Sequence, residues 1–369
     1  MSKKRNATIE LLRIVSMLMI ITLHAAGKSN MLGNYFESGK AVYIVSWVLE
    51  AFAIFGLNMY ILIAGYFMVD GNFKTGRFLS IILTILFYST VILLLGFIGI
   101  IPMENMGTYE YLQCLLPLHM ETYWYCTAYV IAYLLMPVLA RGVKAMSKKA
   151  LGATIILLLI FESLFKSVLP VRLEADDKGY SALWFITLFL VAAYIRLYGI
   201  RFFNNVKRGI ITYVVCAVLI ALEEFALQFV YVKFGRLELL DAVSIEYNHI
   251  FLVIGSIGLF TAFINAKPIE GAVTKAIMFF STGAFGVYLI HEHILLRYQW
   301  QKWFGIDKLA DKSVLLYLPT VLIAVIAVFV IGVLIDKVRA ALFACVGKAL
   351  KNSRIAAKMA VLDNIINGG

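Results

Sequence analysis

Residues 7–27, ATIELLRIVSMLMIITLHAAG, are apolar and long enough to cross ~30 Å of hydrocarbon as a helix, yet they contain Arg13 and His24. Eleven positions at 100° each bring these two side chains to within about 20° of one another, roughly 16 Å apart along the axis. A cation and a titratable imidazole therefore share one face of a membrane helix. Burying an ionisable group at that depth costs on the order of 3 kcal/mol, so such residues commonly line a cavity or a reaction path. The bland alternative is an Arg13 that snorkels to the inner surface and a His24 that rests at the outer interface.

Of the 369 residues 62% are hydrophobic, and mean hydropathy is +0.89, more apolar than a soluble domain tolerates. The pattern predicts an all-α, polytopic membrane helix bundle of about ten transmembrane helices. The spans fall near 8–26, 41–69, 77–100, 123–140, 150–168, 181–199, 209–232, 246–265, 277–296 and 313–335, the second free to kink at Gly56. With the N-terminus inside, twenty of the 33 Lys and Arg residues fall in cytoplasmic segments, among them Lys3, Lys4, Arg5, Lys74 and Arg77. Both termini are thus expected in the cytoplasm. The formal charge of +11 then suits anionic lipid rather than nucleic acid, for which no module is present. The first segment reads as a retained span rather than a cleaved signal, because Arg13 interrupts it and further spans follow. Residues 1–336 form the transmembrane domain, and 337–369 a basic amphipathic tail on the inner leaflet. Cys114 and Cys126 both fall on the outer side, as free small hydrophobes or as a disulfide.

On this topology all five histidines, His24, His119, His249, His291 and His293, lie in the outer half, which reads as an acid/base site or a proton path. His24 and His291 are the strongest candidates; the others are also suited to an interface. In His291-Glu292-His293 the two imidazoles are two residues apart and about 200° apart on a helix. Only His291, deep in its span, is expected to face the interior, and no metal is expected because a helical chelate needs the HExxH spacing. On the inner side, Lys74 and Arg77 would share the first turn of the third span, where free amides also favour an anion. With Arg13 they form a phosphate-binding cluster or simple positive-inside anchors. Cations at one mouth and imidazoles ~16 Å away suit a long donor with a phosphate head and a thin arm, such as an acyl-coenzyme A.

Five segments together resemble the acyltransferase 3 family of integral membrane enzymes. They are IELLRIVSMLMIITLHA, with its Arg-x10-His pair; NMYILIAGYFM, with Ala64-Gly65-Tyr66; KTGR; YWYCTAYVIAYLLMPVL, with Trp124; and GVYLIHEHILL, with His291. The resemblance covers essentially the whole chain in the same order. It implies acetyl transfer from cytoplasmic acetyl-CoA to a hydroxyl of an extracytoplasmic polysaccharide or glycolipid. Arg13, Lys74 and Arg77 would bind the donor. His24 would be general base or acyl carrier, and His291 would orient it, relay a proton or line the acceptor site. Trp124 and His119 would contact the acceptor, Trp124 as a platform or an interfacial anchor. Two positions depart from the family pattern. Ala64 replaces a serine, and Lys74 replaces an arginine and so lacks the bidentate fork. No appended esterase-like domain is expected, so the acceptor is reached directly, in a homo-oligomer, or through partner enzymes of the envelope. The expected location is a bacterial cytoplasmic membrane. Glu121, Glu162 and Glu292 either assist or sit at the outer interface. A glycan flippase or proton-coupled transporter is the competing reading, weakened by the lack of repeat symmetry. A metal-dependent glycosyltransferase would want acids in the first outer loop, which supplies only Glu37.

Overall fold

The computed structural model describes residues 5–104, 106–168, 174–235, 243–350 and 353–368; Lys3 and Lys4 lie outside them. Among these residues the regular structure is helical throughout. Nine helical stretches among the described residues are long and apolar enough to cross a membrane, and Ala182–Tyr198 is a shorter apolar helix at the sixth expected span. The chain is therefore a polytopic membrane helix bundle.

Helix α1 (Ala7–Gly27) begins at Asn6, whose side chain accepts the Thr8 amide. The second stretch is divided into α2 (Ala41–Ala53) and α3 (Gly56–Met68), with the break just ahead of Gly56. A Cβ on Gly56 would lie 2.7 Å from the Ser16 carbonyl oxygen, so the glycine lets α3 cross α1 backbone to backbone. Next come α4 (Thr75–Phe97), α5 (Trp124–Ala145) and α6 (Lys148–Leu159). A π-helical turn at Ile160–Leu164 follows α6. It buries Glu162, which accepts a hydrogen bond from Thr187 Oγ1 at 3.2 Å. Then follow α7 (Ala182–Tyr198), α8 (Val206–Phe234) and α9 (Ile250–Asn265). Arg196, inside the sixth expected span, lies in the last turn of α7, paired with Asp70 at 2.7 Å and Tyr66 Oη at 3.2 Å.

The ninth expected span, 277–296, differs from the sequence reading. It is two short helices, α10 (Ala272–Ser281) and α11 (Ala284–His291), and Glu292 is already the C-cap. The 200° rule for His291 and His293 therefore does not apply, because the chain leaves helical geometry between them. Both imidazoles are buried, His291 toward α1 and His293 toward the Ser89 carbonyl. The last span, α12 (Val314–Leu350), continues unbroken through residue 337. A final helix, α13 (Arg354–Asn367), is capped by Ser353. Cys114 and Cys126 are buried and free.

Helix α1 is the hub of the bundle, packed against α2, α3, α9, α10, α11 and α12. Ile9, Leu12 and Leu23 belong to one apolar cluster, with α3, α7 and α9. Met17, Ile20, Ile21 and Ala25 belong to a second, with α11 and α12. The helix is thus a seam between two cores, and its polar face is left for the space between them. Gly56→Leu should lower the melting temperature in detergent, by an overpacking cost of about 1–3 kcal/mol. Gly142→Ala, where a Cβ meets nothing within 4 Å, should match or exceed wild type. Equal melting of both variants would contradict the close crossing of α1 and α3.

Candidate active site

A cavity of about 360 Å³ runs along the polar face of α1 and is lined by both Arg13 and His24. Since α1 is continuous between them, the cavity extends over roughly 16 Å. At the Arg13 end its wall includes Arg5 and Arg77; at the His24 end it includes Glu292, Trp124 and Tyr247. Between them lie Tyr60, Tyr125, Tyr129 and Tyr288, and Ala64 is also part of the wall.

The cationic end is partly neutralised. Glu10, buried one turn before Arg13, pairs with the Arg13 guanidinium and accepts from Arg5 at 3.0 Å through each carboxylate oxygen. Tyr60 Oη donates to the Arg13 carbonyl at 2.7 Å and fixes the helix there. Arg77 has no such acidic partner among the described residues, and it lines the cavity wall. Lys74 is the N-cap of α4 (φ −131°, ψ 110°), and its carbonyl accepts the Arg77 amide at 3.0 Å. Lys74 is exposed and outside the cavity wall. His119 is likewise exposed and outside it, in the connection ahead of α5.

At the other end the hydrogen bonds select the tautomer that each neutral imidazole takes. His291 Nδ1 lies 2.6 Å from the Val287 carbonyl, which only accepts, so Nδ1 carries the proton and Nε2 presents a lone pair. His24 Nδ1 is 3.0 Å from that Nε2 and 3.1 Å from Glu292 Oε1. Facing two acceptors, His24 Nδ1 must donate, which leaves the His24 Nε2 lone pair as the free basic atom. Gln301 Nε2 holds the His24 carbonyl at 3.0 Å, and Tyr123 Oη holds the Leu289 carbonyl at 3.0 Å, so both histidine backbones are pinned. Lys28 forms an ion pair with Glu292 Oε1. Burial pushes the Lys28 ammonium below the usual lysine range, and Glu292 opposes that push.

The chemistry available is proton abstraction by His24 Nε2, with an anionic Glu292 beside Nδ1 to stabilise the imidazolium that forms. His24, His291 and Glu292 also present donor atoms within 4.8 Å of one another, a set of metal-binding composition. The Lys28 ammonium on Glu292 brings a competing cation to that set. Sequence reasoning left Glu292 undecided and passed over Lys28, Tyr60 and Arg5. The signal in the sequence was the acid directly following His291, together with the lysine one helical turn beyond His24.

A family sequence model described as an acyltransferase domain matches residues 6–337. The chain belongs to the acyltransferase 3 family. No curated protein and no solved structure matches it. In this acyltransferase 3 chain the matched residues run from the N-cap of α1 into α12, and so include every residue of the cavity wall except Arg5. Helix α13 lies outside the match. The chain is a membrane acyltransferase, and His24, His291 and Glu292 stand together at one end of its cavity. Nitrogen NMR of the histidine-labelled protein should find His24 as the Nδ1–H tautomer with an unprotonated Nε2. An Nε2–H tautomer in the resting protein would contradict the hydrogen-bond assignment.

Proposed function

We propose that the protein transfers an acetyl group from cytoplasmic acetyl-CoA to a hydroxyl of an extracytoplasmic polysaccharide or glycolipid, in a bacterial cytoplasmic membrane with both termini inside. The observation that carries this reading is the single cavity joining Arg77 and Arg13 to His24 in a chain of this family. Arg77, with Arg13 and Arg5 behind it, would receive the donor phosphates, and the uncharged arm would follow the tyrosine-lined passage. Lys74, at the N-cap outside the wall, would contribute only long-range attraction to an approaching donor.

At the far end, His24 Nε2 takes the proton from the acceptor hydroxyl as its oxygen attacks the thioester carbonyl. The tetrahedral intermediate collapses with loss of the coenzyme A thiolate, which takes the proton back from the His24 imidazolium. The products are the acetyl ester and free coenzyme A. His291 holds the His24 ring in the required tautomer, and Glu292 offsets the positive charge on that ring between the two proton transfers. Trp124 stacks against Tyr247 at 5.7 Å beside this end and offers an apolar face to a sugar ring. Anionic lipids of the inner leaflet, other envelope-glycan enzymes, or a second copy of the chain are the partners that fit this placement.

The test is purified protein in vesicles, given labelled acetyl-CoA and a cell-surface glycan fraction. His24→Ala should lower turnover by about 10²–10⁴-fold, the usual contribution of a general base. Arg77→Ala should raise the donor KM about tenfold, the effect of losing one charge-assisted hydrogen bond. A chelator should leave the rate unchanged. A chelator-sensitive rate restored by a divalent ion would instead make the histidine and carboxylate set a metal centre. Wild-type turnover in His24→Ala would remove the catalytic assignment.

A further inference from the structure

The turn that delivers Arg77 to the cavity is held by a helix that lies beyond the residues shared with the family. Asn367, in the last turn of α13, binds Phe73 twice: its Oδ1 accepts the Phe73 amide and its Nδ2 donates to the Phe73 carbonyl, both at 2.9 Å. Two residues on, the Asp363 carboxylate accepts the Thr75 amide at 2.6 Å. This is the first amide of α4, where a free anion was expected from the sequence. From the other side, Arg141 Nη2 donates to the Ile366 carbonyl at 2.9 Å and ties α13 to the end of α5. Phe73 itself is buried against Tyr133, with ring centres 5.2 Å apart.

Each contact falls on the backbone or ring that fixes where α4 starts, and Arg77 lies two residues beyond Thr75. None of the α13 residues lines the cavity, so the helix secures the mouth without filling it. Helix α13 carries Arg354 and Lys358, and exposes Ile355, Leu362 and Ile365. That combination suits an inner-leaflet surface helix.

We propose that α13 is a positioning element of the donor site, with Asp363 and Asn367 setting the Phe73–Thr75 turn so that Arg77 points into the cavity. This rests on the donor role of Arg77 argued above. Asp363 acts as a fixed N-terminal cap on α4, a place that in other helices is filled by the capping residue itself. Lys74 is the N-cap here and makes no side-chain capping bond, so the cap is supplied from a distance of nearly three hundred residues.

The test uses the full-length protein in vesicles, with monodispersity and melting temperature checked for each variant. Asp363→Ala and Asn367→Ala should each raise the acetyl-CoA KM about tenfold while turnover at saturating donor stays within about twofold. A tether gives the second arm. A Cβ on Gly76 would lie 3.9 Å from Met359 Cε, so Gly76→Cys with Met359→Cys in a Cys345→Ser background should accept a short thiol cross-linker. Cross-linking should leave the KM at its wild-type value and restore it in the Asp363→Ala variant. Loss of activity on cross-linking, or a lower KM in Asp363→Ala, would make α13 a lid that competes with the donor and overturn the proposal. An unchanged KM in both α13 variants, with a raised KM in Arg77→Ala, would overturn it while leaving the proposed function intact. An unchanged KM in Arg77→Ala itself would remove the donor role and the positioning role together.

Discussion

Helix α1 carries a guanidinium and an imidazole into an apolar interior, and the cost of burying them unpaired constrains everything packed around it. Breaking a buried pair by removing one partner typically costs about 3–5 kcal/mol. The chain meets this with Glu10 beneath Arg13 and with His291, Glu292 and Lys28 around His24. Each partner belongs to a different kind of segment: the preceding helical turn, the end of α11, its cap, and the loop after α1. The bundle is arranged so that these ends converge. The two apolar clusters close over the remaining faces of α1, and the unfilled space between them becomes the cavity.

The same convergence explains why the imidazoles are ordered as a chain. A carbonyl that only accepts, Val287, fixes the proton on His291, and His291 in turn fixes the proton on His24. Glu292, the C-cap of α11, keeps the helical bond from its amide to the Tyr288 carbonyl at 3.1 Å, and its carboxylate lies 3.1 Å from His24 Nδ1. Only beyond it does the chain leave the helix, which carries His293 toward the Ser89 carbonyl.

Much of this was legible in the sequence, and the exceptions share a cause. The fold class and the spans followed from apolar length, and the shared face of Arg13 and His24 followed from an uninterrupted helix, where angular arithmetic holds. That arithmetic failed wherever the chain leaves the helix. Lys74 is the N-cap of α4, exposed and outside the cavity wall that takes in Arg77. His293 was read as facing away from the interior, but the chain turns at Glu292 and buries it elsewhere. His119 sits in an irregular connection where no period applies. The grip of α13 on Phe73 and Thr75 is a contact between segments nearly three hundred residues apart, and no local pattern announces it.

In the proposed reaction one passage links a phosphate site at Arg77 to the basic nitrogen of His24. Cryo-electron microscopy of the protein with a non-transferable acetyl-CoA thioether tests it most directly. The diphosphate is expected against Arg77 and the thioether end within ~3.5 Å of His24 Nε2, a near-attack separation. A bound analogue whose arm lies outside the α1 cavity, or whose phosphates lie far from Arg77, would contradict it.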